Sequence, residues 1–319
     1  MHVIPAERPQ DSFQRKAYRW ATAKGLTDRI PDRVHLSLLY WAHLGYRPNL
    51  DQPCTFNEKL QWLKIHDRNP LYTTLCDKVA VKGWVAERIG ARYVTPTYAI
   101  WDSLDKIDTA HLPDQFVLKI NGDSGGIAIC RDRATFDLES AMPTLEKNFG
   151  RNYYYRNREW PYKDVRPLAF AEEYLDPGHT RSAAGRQGAA GGVIDYKLYC
   201  FDGVPRLLYV SQGLEDHATA RISFLDLDWT FAPFKRHDYA AFEELPARPG
   251  CYGEMLDLAR VLSAGIPFVR VDFIEYEGQP RFSEMTFYPC AGLMEFDPPE
   301  WDAALGELLD LSGAYRASR

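Results

Sequence analysis

No Cys-x-x-Cys pair occurs among the six cysteines, Cys54, Cys76, Cys130, Cys200, Cys251 and Cys290, and this excludes the thiolate zinc sites and the redox motif that such spacing encodes. They read as reduced residues, mostly of the core, with no disulfide framework. The chain has no excess of positive charge. Lysine and arginine number 38 against 44 aspartates and glutamates, a formal net charge of -6, so the global footprint of a nucleic-acid-binding protein is missing. No run of apolar residues approaches a bilayer-spanning length, and the first residues, Met1 to Lys16, lack the apolar core of a signal peptide. A cytoplasmic location is the expectation, with any membrane association running through a partner. None of the eight histidines has metal-ligand spacing, no Ser/His/Asp or Cys/His arrangement offers a nucleophile, and no internal repeat is evident.

What remains is an enzyme-sized chain of 319 residues, 45% hydrophobic, enough for a large core in two or three subdomains. Apolar periodicity gives helices over 32–44, with Asp32 as cap, and over 55–65, opened by the capping box Thr55-Phe-Asn-Glu58. A third helix runs from Leu71 to Ile89 and stops at Gly90. Helices over 138–149 and 250–264 are separated by short strands at 93–100, 116–120, 127–131, 168–175, 196–201 and 206–210. The glycine- and alanine-rich stretch 178–192 reads as a flexible loop. The class is α+β.

The densest chemistry lies between Pro267 and Pro289. Val269, Val271 and Phe273 alternate with Arg270 and Asp272, and after a turn at Glu277-Gly278-Gln279-Pro280 the residues Phe282 and Met285 flank Glu284. In such a hairpin Arg270 and Asp272 share a face, as do Glu284 and Thr286, and neighbours across it lie roughly 5 Å apart. Two carboxylates so close suit a cation between them, and an all-oxygen set favours magnesium, which keeps waters and takes substrate phosphates. The same pattern fits a hairpin in which Arg270 simply neutralises its two acids.

A second constellation is Phe116-Val-Leu-Lys119-Ile-Asn121-Gly122-Asp123-Ser124-Gly125-Gly126. Its glycines allow close backbone approach, so successive amides can cradle a phosphate that Lys119 neutralises. Neither Walker A nor Gly-x-Gly-x-x-Gly spacing is present, and an ordinary hairpin turn accounts for the same residues. A third, Leu168-Ala-Phe-Ala-Glu172-Glu173-Tyr174-Leu175, is an apolar strand ending in acids. It fits either the edge of a nucleotide pocket or a solvated strand end.

Taken in chain order these pieces resemble the ATP-grasp superfamily, and within it the TupA-like proteins of polysaccharide gene clusters. The residues that carry the resemblance are Thr55-Phe-Asn-Glu-Lys59, Asp67-Arg-Asn-Pro70, Asp77-Lys78, Phe116-Val-Leu-Lys119, Ser124-Gly-Gly126, Arg158-Glu-Trp-Pro-Tyr162, Glu172-Glu-Tyr-Leu175, Asp195-Tyr-Lys197 and Thr286-Phe-Tyr-Pro289. The resemblance implies two α+β lobes with antiparallel sheets clasping ATP, at 71–165 and 166–319, after a helical region at 1–70. It implies that Lys78 and Lys119 hold phosphates under a loop of Ser124, Gly125 and Gly126. The main chain at Glu173 and Leu175, around Tyr174, would read adenine, and Glu172 or Asp195 the ribose. Asp272 and Glu284 would bind Mg²⁺, Glu284 bridging two ions, with Thr286 standing where the superfamily usually has asparagine. Arg270 would stabilise the oxyanion of a tetrahedral intermediate, and Lys197 would touch phosphate or substrate.

The implied chemistry is an ATP-dependent carboxylate-amine ligation through an acyl phosphate, the carboxylate being a uronic acid of a surface polysaccharide or its precursor and the amine an amino acid. A sugar kinase and a non-catalytic nucleotide-binding module of a polysaccharide-assembly complex are the alternatives. For the saccharide, Arg156, Arg158, Trp160 and Tyr162 offer aromatic faces and a carboxylate fork, although the same residues can equally pack an interdomain core. Phe287, Tyr288 and 290–292, just past the hairpin, are expected to line the acceptor side.

Overall fold

The computed structural model describes residues 11–123, 125–176, 193–214 and 220–314. The stretch expected to be a flexible loop, 178–192, lies outside the described residues, as does Ser124.

The chain opens with helices. α1 (Phe13–Ala23) packs on α2 (Asp32–Leu44), and α3 (Phe56–His66) carries both arms of the expected capping box, Thr55 receiving the Glu58 amide and Glu58 reaching back. Asp32 does not cap α2; it is the helix's first residue, and its carboxylate accepts from Tyr154 at 2.6 Å and pairs with Arg158 at 3.2 Å. The single helix expected over 71–89 is broken into α4 (Leu71–Cys76) and α5 (Ala80–Ile89). Asp77 causes the break, because its Oδ1 accepts from the amides of Val79 at 2.8 Å and Ala80 at 3.2 Å, the side-chain-to-backbone competition that favours a new helix start.

Two antiparallel sheets follow. The smaller has the order β1 (Thr97–Trp101), β4 (Ala169–Glu173), β2 (Phe116–Ile120), β3 (Ile127–Cys130). Against it packs α6 (Leu138–Phe149), and Phe116, Leu118, Ile120, Cys130, Ala169, Ala171 and Leu145 form its own core. Strand β4, C-terminal to the expected boundary at 165/166, is thus hydrogen-bonded between two strands that precede it. Between α6 and β4 lies the short α7 (Tyr154–Asn157).

The larger sheet has the order β10 (Gln279–Thr286), β9 (Phe268–Tyr276), β5 (Ile194–Phe201), β6 (Val204–Gln212), β7 (Arg221–Leu225). One face is covered by α8 (Tyr252–Ser263). Phe56, Leu60 and Leu63 of α3, Tyr72 and Leu75 of α4, and Val81 and Val85 of α5 enter the same core as Val271 and Phe273 of β9. Each such buried side chain contributes about 1.5–3 kcal/mol of apolar burial. The sequence reading missed β7, the pairing of β8 (Lys235–Arg236) with β11 (Phe296–Asp297), and α9 (Trp301–Leu308).

Candidate active site

The site starts from strand alternation in β9. Val269, Val271 and Phe273 are fully buried towards the core, which sends Arg270 and Asp272 to the opposite face. Strand β10 returns through a two-residue turn at Glu277 and Gly278, both with positive φ (54° and 79°), a backbone that suits a tight hairpin. Strict alternation cannot place Phe282 and Met285 inward and Glu284 outward together. The ladder resolves this by slipping one residue between Phe282 and Glu284, as in a β-bulge, after which Glu284 lies across from Asp272 and Thr286 across from Arg270. On the other side of β9, Lys197 lies across from Asp272 and Tyr199 across from Arg270.

Three functional side chains thus converge on Arg270 through four hydrogen bonds. Its Nε donates to Asp272 Oδ1 at 2.7 Å, and its Nη2 donates to Asp272 Oδ2 at 2.6 Å, Glu284 Oε1 at 2.8 Å and Thr286 Oγ1 at 2.9 Å. Lys197 Nζ adds a 3.0 Å bond to Asp272 Oδ2 and lies 3.4 Å from Asp195 Oδ1. Burial raises the Asp272 carboxyl, opposed by Arg270 and Lys197. Glu284 goes the other way: burial works to raise it, but Lys78, Arg270 and Lys197 outweigh burial and hold it down at about 2. Lys197 is raised because Asp195 and Asp272 overcome the desolvation that opposes its charge.

Lys78 reaches this cluster from the break between α4 and α5. Asn121, fully buried, donates from Nδ2 to Asp77 Oδ2 at 2.9 Å, and its carbonyl accepts the Lys78 amide at 3.1 Å. The α4–α5 break is thereby fixed to the end of β2. From there Lys78 Nζ donates to the Asp123 carbonyl and comes within 3.9 Å of Glu284 Oε2.

Lys119 pairs with Glu172 Oε1, whose other oxygen takes Lys82 Nζ at 2.6 Å. Burial pushes the Glu172 carboxyl up and the two lysines bring it below its ordinary range. Both its oxygens are therefore engaged by lysines, away from the ribose role expected as one option. Gly126 owes its identity to packing: a Cβ would meet Asn148 Cβ at 2.9 Å and Ile120 Cγ1 at 3.0 Å. Gly125 sits at φ +116°, a backbone that L side chains rarely adopt. At the end of β4 the Glu173 amide donates to the Pro96 carbonyl at 3.0 Å, Tyr174 lies under the Arg131 guanidinium at 5.8 Å, and Leu175 is half-buried.

The expected saccharide residues separate. Arg156 is part-exposed, 5.6 Å over the Tyr153 ring and 3.8 Å from Asp123 Oδ1, hence beside the loop that receives Lys78. Trp160 and Tyr162 are half-buried, Tyr162 meeting Tyr153 edge-on at 4.8 Å. Arg158 is a correction. It is 1% exposed, and its guanidinium donates to the carbonyls of Tyr155, Thr27, Asp28 and Ile30, so it pins the α1–α2 connection rather than facing a ligand. Tyr288 is corrected likewise: it is 3% exposed and packs under Lys64, 5.5 Å from the ring. Beyond it Cys290, Ala291 and Gly292 run at φ 51°, 56° and 62°, a strained turn whose carbonyls Gln61 and Lys64 of α3 clamp at 2.7–2.9 Å.

Sequence reasoning missed Lys82 and Asn121. Lys82 stands one helical turn past Lys78, a spacing common to any helix, and Asn121 had only its place in the glycine turn.

A metal ion fits the hairpin in kind. Among the described residues no group of three His, Cys, Asp or Glu side chains is placed to hold an ion alone. The protein offers two carboxylates and the Thr286 hydroxyl, so water and substrate oxygens must complete a shell, which matches a hard cation and not zinc.

A family model described as TupA-like ATPgrasp matches residues 58–310. Among solved structures, D-alanine–D-alanine ligase from Bacillus anthracis complexed with ATP is similar at TM-score 0.41 and 15% identity, over 76% of this chain and 67% of that one. D-Alanine–D-alanine ligase from Helicobacter pylori gives 0.42 and 14%, over 82% and 68%. ATP-grasp ligase PsnB complexed with minimal precursor, Mg and ADP gives 0.39 and 11%, over 81% and 66%. No curated protein matches the sequence.

Proposed function

Because the chain belongs to the TupA-like ATP-grasp family, we propose that it is an ATP- and Mg²⁺-dependent carboxylate-amine ligase that forms an amide through an acyl phosphate. The observation that carries this reading is the convergence at the hairpin: a lysine anchored to the glycine turn stands 3.9 Å from Glu284, which shares a face with Asp272 and Thr286. This supports the reading, because a lysine tied to the end of β2, which we assign to the phosphates, stands beside a carboxylate pair of the kind that binds a hard cation.

Each residue then has a task. Lys78 and Lys119 take the phosphates, Lys119 leaving Glu172 to Lys82. The backbone of Gly125 and Gly126, with Ser124, covers them; the main chain at Glu173 to Leu175 meets adenine, and Asp195 takes the ribose. Asp272, Glu284 and Thr286 hold Mg²⁺, which when bound neutralises the γ-phosphate during transfer. The substrate carboxylate attacks that phosphorus, ADP leaves, and the amine attacks the acyl carbon, displacing phosphate. Arg270 meets the oxyanion of this second step. Its Nε and Nη2 are fixed by four hydrogen bonds, while among the described residues Nη1 makes none, so the guanidinium is held rigidly with a donor in reserve.

The carboxylate is a uronic acid of a surface polysaccharide or its precursor and the amine an amino acid, in the cytoplasm. Arg156 over Tyr153, next to the Lys78 loop, supports this, since an aromatic face suits a sugar ring and a guanidinium its carboxylate. Phosphorus NMR of the protein with ATP, Mg²⁺, pooled amino acids and pooled uronic-acid saccharides tests it, each pool omitted in turn. ADP and inorganic phosphate arising only with both pools present is the expected result. A new phosphoester without an amine requirement would establish a kinase instead. Glu284→Gln is expected to lower turnover to the level seen without magnesium.

A further inference from the structure

Helix α1 is turned inside out. Its inward residues include Arg15, 6% exposed, whose Nε donates to the Ala42 carbonyl at 3.3 Å and whose Nη2 donates to the His43 carbonyl at 2.7 Å; Arg19 reaches the same Ala42 carbonyl. Two arginines thus satisfy carbonyls of the last turn of α2. The apolar side chains face out: Phe13 is 82% exposed and Trp20 60%, and just past the helix Leu26 is 68% exposed.

Phe13, Lys16, Trp20 and Lys24 follow one another at spacings of three and four, so they form a single stripe of alternating large apolar and cationic groups. Arg29 is exposed a few residues on, and among the described residues neither Lys24 nor Arg29 forms an ion pair. Rings and aliphatic chains interleaved with lysine and arginine on one exposed face are the composition of a helix that lies in a lipid headgroup layer, rings below the phosphates and ammonium groups among them. The cations specify the sign of the surface, because neutral headgroups offer them nothing. Among the described residues no helix is long and apolar enough to cross a membrane, so the contact is with the surface only.

We propose that α1 and the turn after it dock directly onto an anionic lipid bilayer. This replaces the expectation that membrane association needs a partner, and it stands independently of the ligase reading. In a chain of net charge -6, a local cationic stripe also orients the molecule, since the remainder is repelled by the same surface.

Vesicle co-sedimentation of the full chain tests it, using phosphatidylcholine vesicles with and without one quarter phosphatidylglycerol, at low and at high salt. The expected result is binding to the phosphatidylglycerol vesicles that weakens with salt and drops by about tenfold or more in K16Q/K24Q/R29Q and in F13A/W20A/L26A. Each variant is checked by its melting temperature, and all six positions are exposed. Absence of binding by the wild type, or equal binding by all three proteins, would overturn the proposal. So would loss of a dimer in F13A/W20A/L26A by light scattering without vesicle binding, which would assign the stripe to a second copy of the chain.

Discussion

At the scale of single residues, Arg270 decides between a neutralising and a catalytic role. A guanidinium fixed through both Nε and Nη2 is what Arg270→Lys removes, since an ammonium keeps the charge and loses the fork. The expected outcome is a kcat lower by about 10²–10³-fold with Mg²⁺-dependent ATP binding changed only a few-fold, read by turnover and calorimetry. Equal losses in both would reduce Arg270 to a structural partner of Asp272. Arg158 gives the contrasting case. Arg158→Met removes the buried donor that four carbonyls and Asp32 share, so urea unfolding should show a loss of about 3 kcal/mol while KM for ATP stays put. The hairpin residues were legible because alternation and local spacing encode them. Lys82 with Glu172 and Asn121 with Asp77 were not, being pairs 90 and 44 residues apart that no local pattern announces.

At the scale of elements, spacing fixes which face a side chain takes, and the slip between Phe282 and Glu284 is where it matters most. Removing Ser283 restores an unbroken ladder with Glu284 still across from Asp272, so Mg²⁺-dependent nucleotide binding should survive. Removing Met285 turns Thr286 into the core and should abolish it; calorimetry on both deletions distinguishes register from mere damage. Helix α2 supplies a pH dependence. Burial, reinforced by Arg158, holds His35 down to about 4, while the unfolded chain keeps an ordinary histidine near 6.5. The folded pKa is depressed and the charged form is the unfavourable one, so the unfolded state takes the proton first. Stability is expected to be level above about pH 6.5 and to fall as pH drops towards 4, with His35→Gln flattening that fall in urea midpoints. The Thr55 capping box was readable because a cap is a local signal. The break at Asp77 was not, because α4 and α5 share an apolar rhythm and only the carboxylate's turn separates them.

At the scale of the whole molecule, the α+β class and the clasping sheets could be anticipated from the order of motifs. Strand β4 could not be allotted by sequence, since only its ladders with β1 and β2 show which sheet it joins. Nor could the docking of α3, α4 and α5 on the larger sheet, which depends on side chains meeting from distant segments. If ATP sits between the sheets, ligand linkage predicts a rise in melting temperature with ATP and Mg²⁺ together that exceeds the sum of each alone, equivalent to about 2.7 kcal/mol at a hundredfold excess over Kd.

The Lys78 ammonium is one of the contacts between the two sheets, with the Asp123 carbonyl on one side and Glu284 on the other. If Lys78 takes phosphate and Glu284 magnesium as proposed, this contact is a latch whose key is the substrate: a triphosphate offers the lysine more negative charge than one carboxylate does, so nucleotide arrival would unfasten the strap and free Glu284 in a single exchange. Added salt should then loosen the protein without nucleotide and leave the nucleotide-bound form unchanged, a difference that small-angle scattering of the two forms would register.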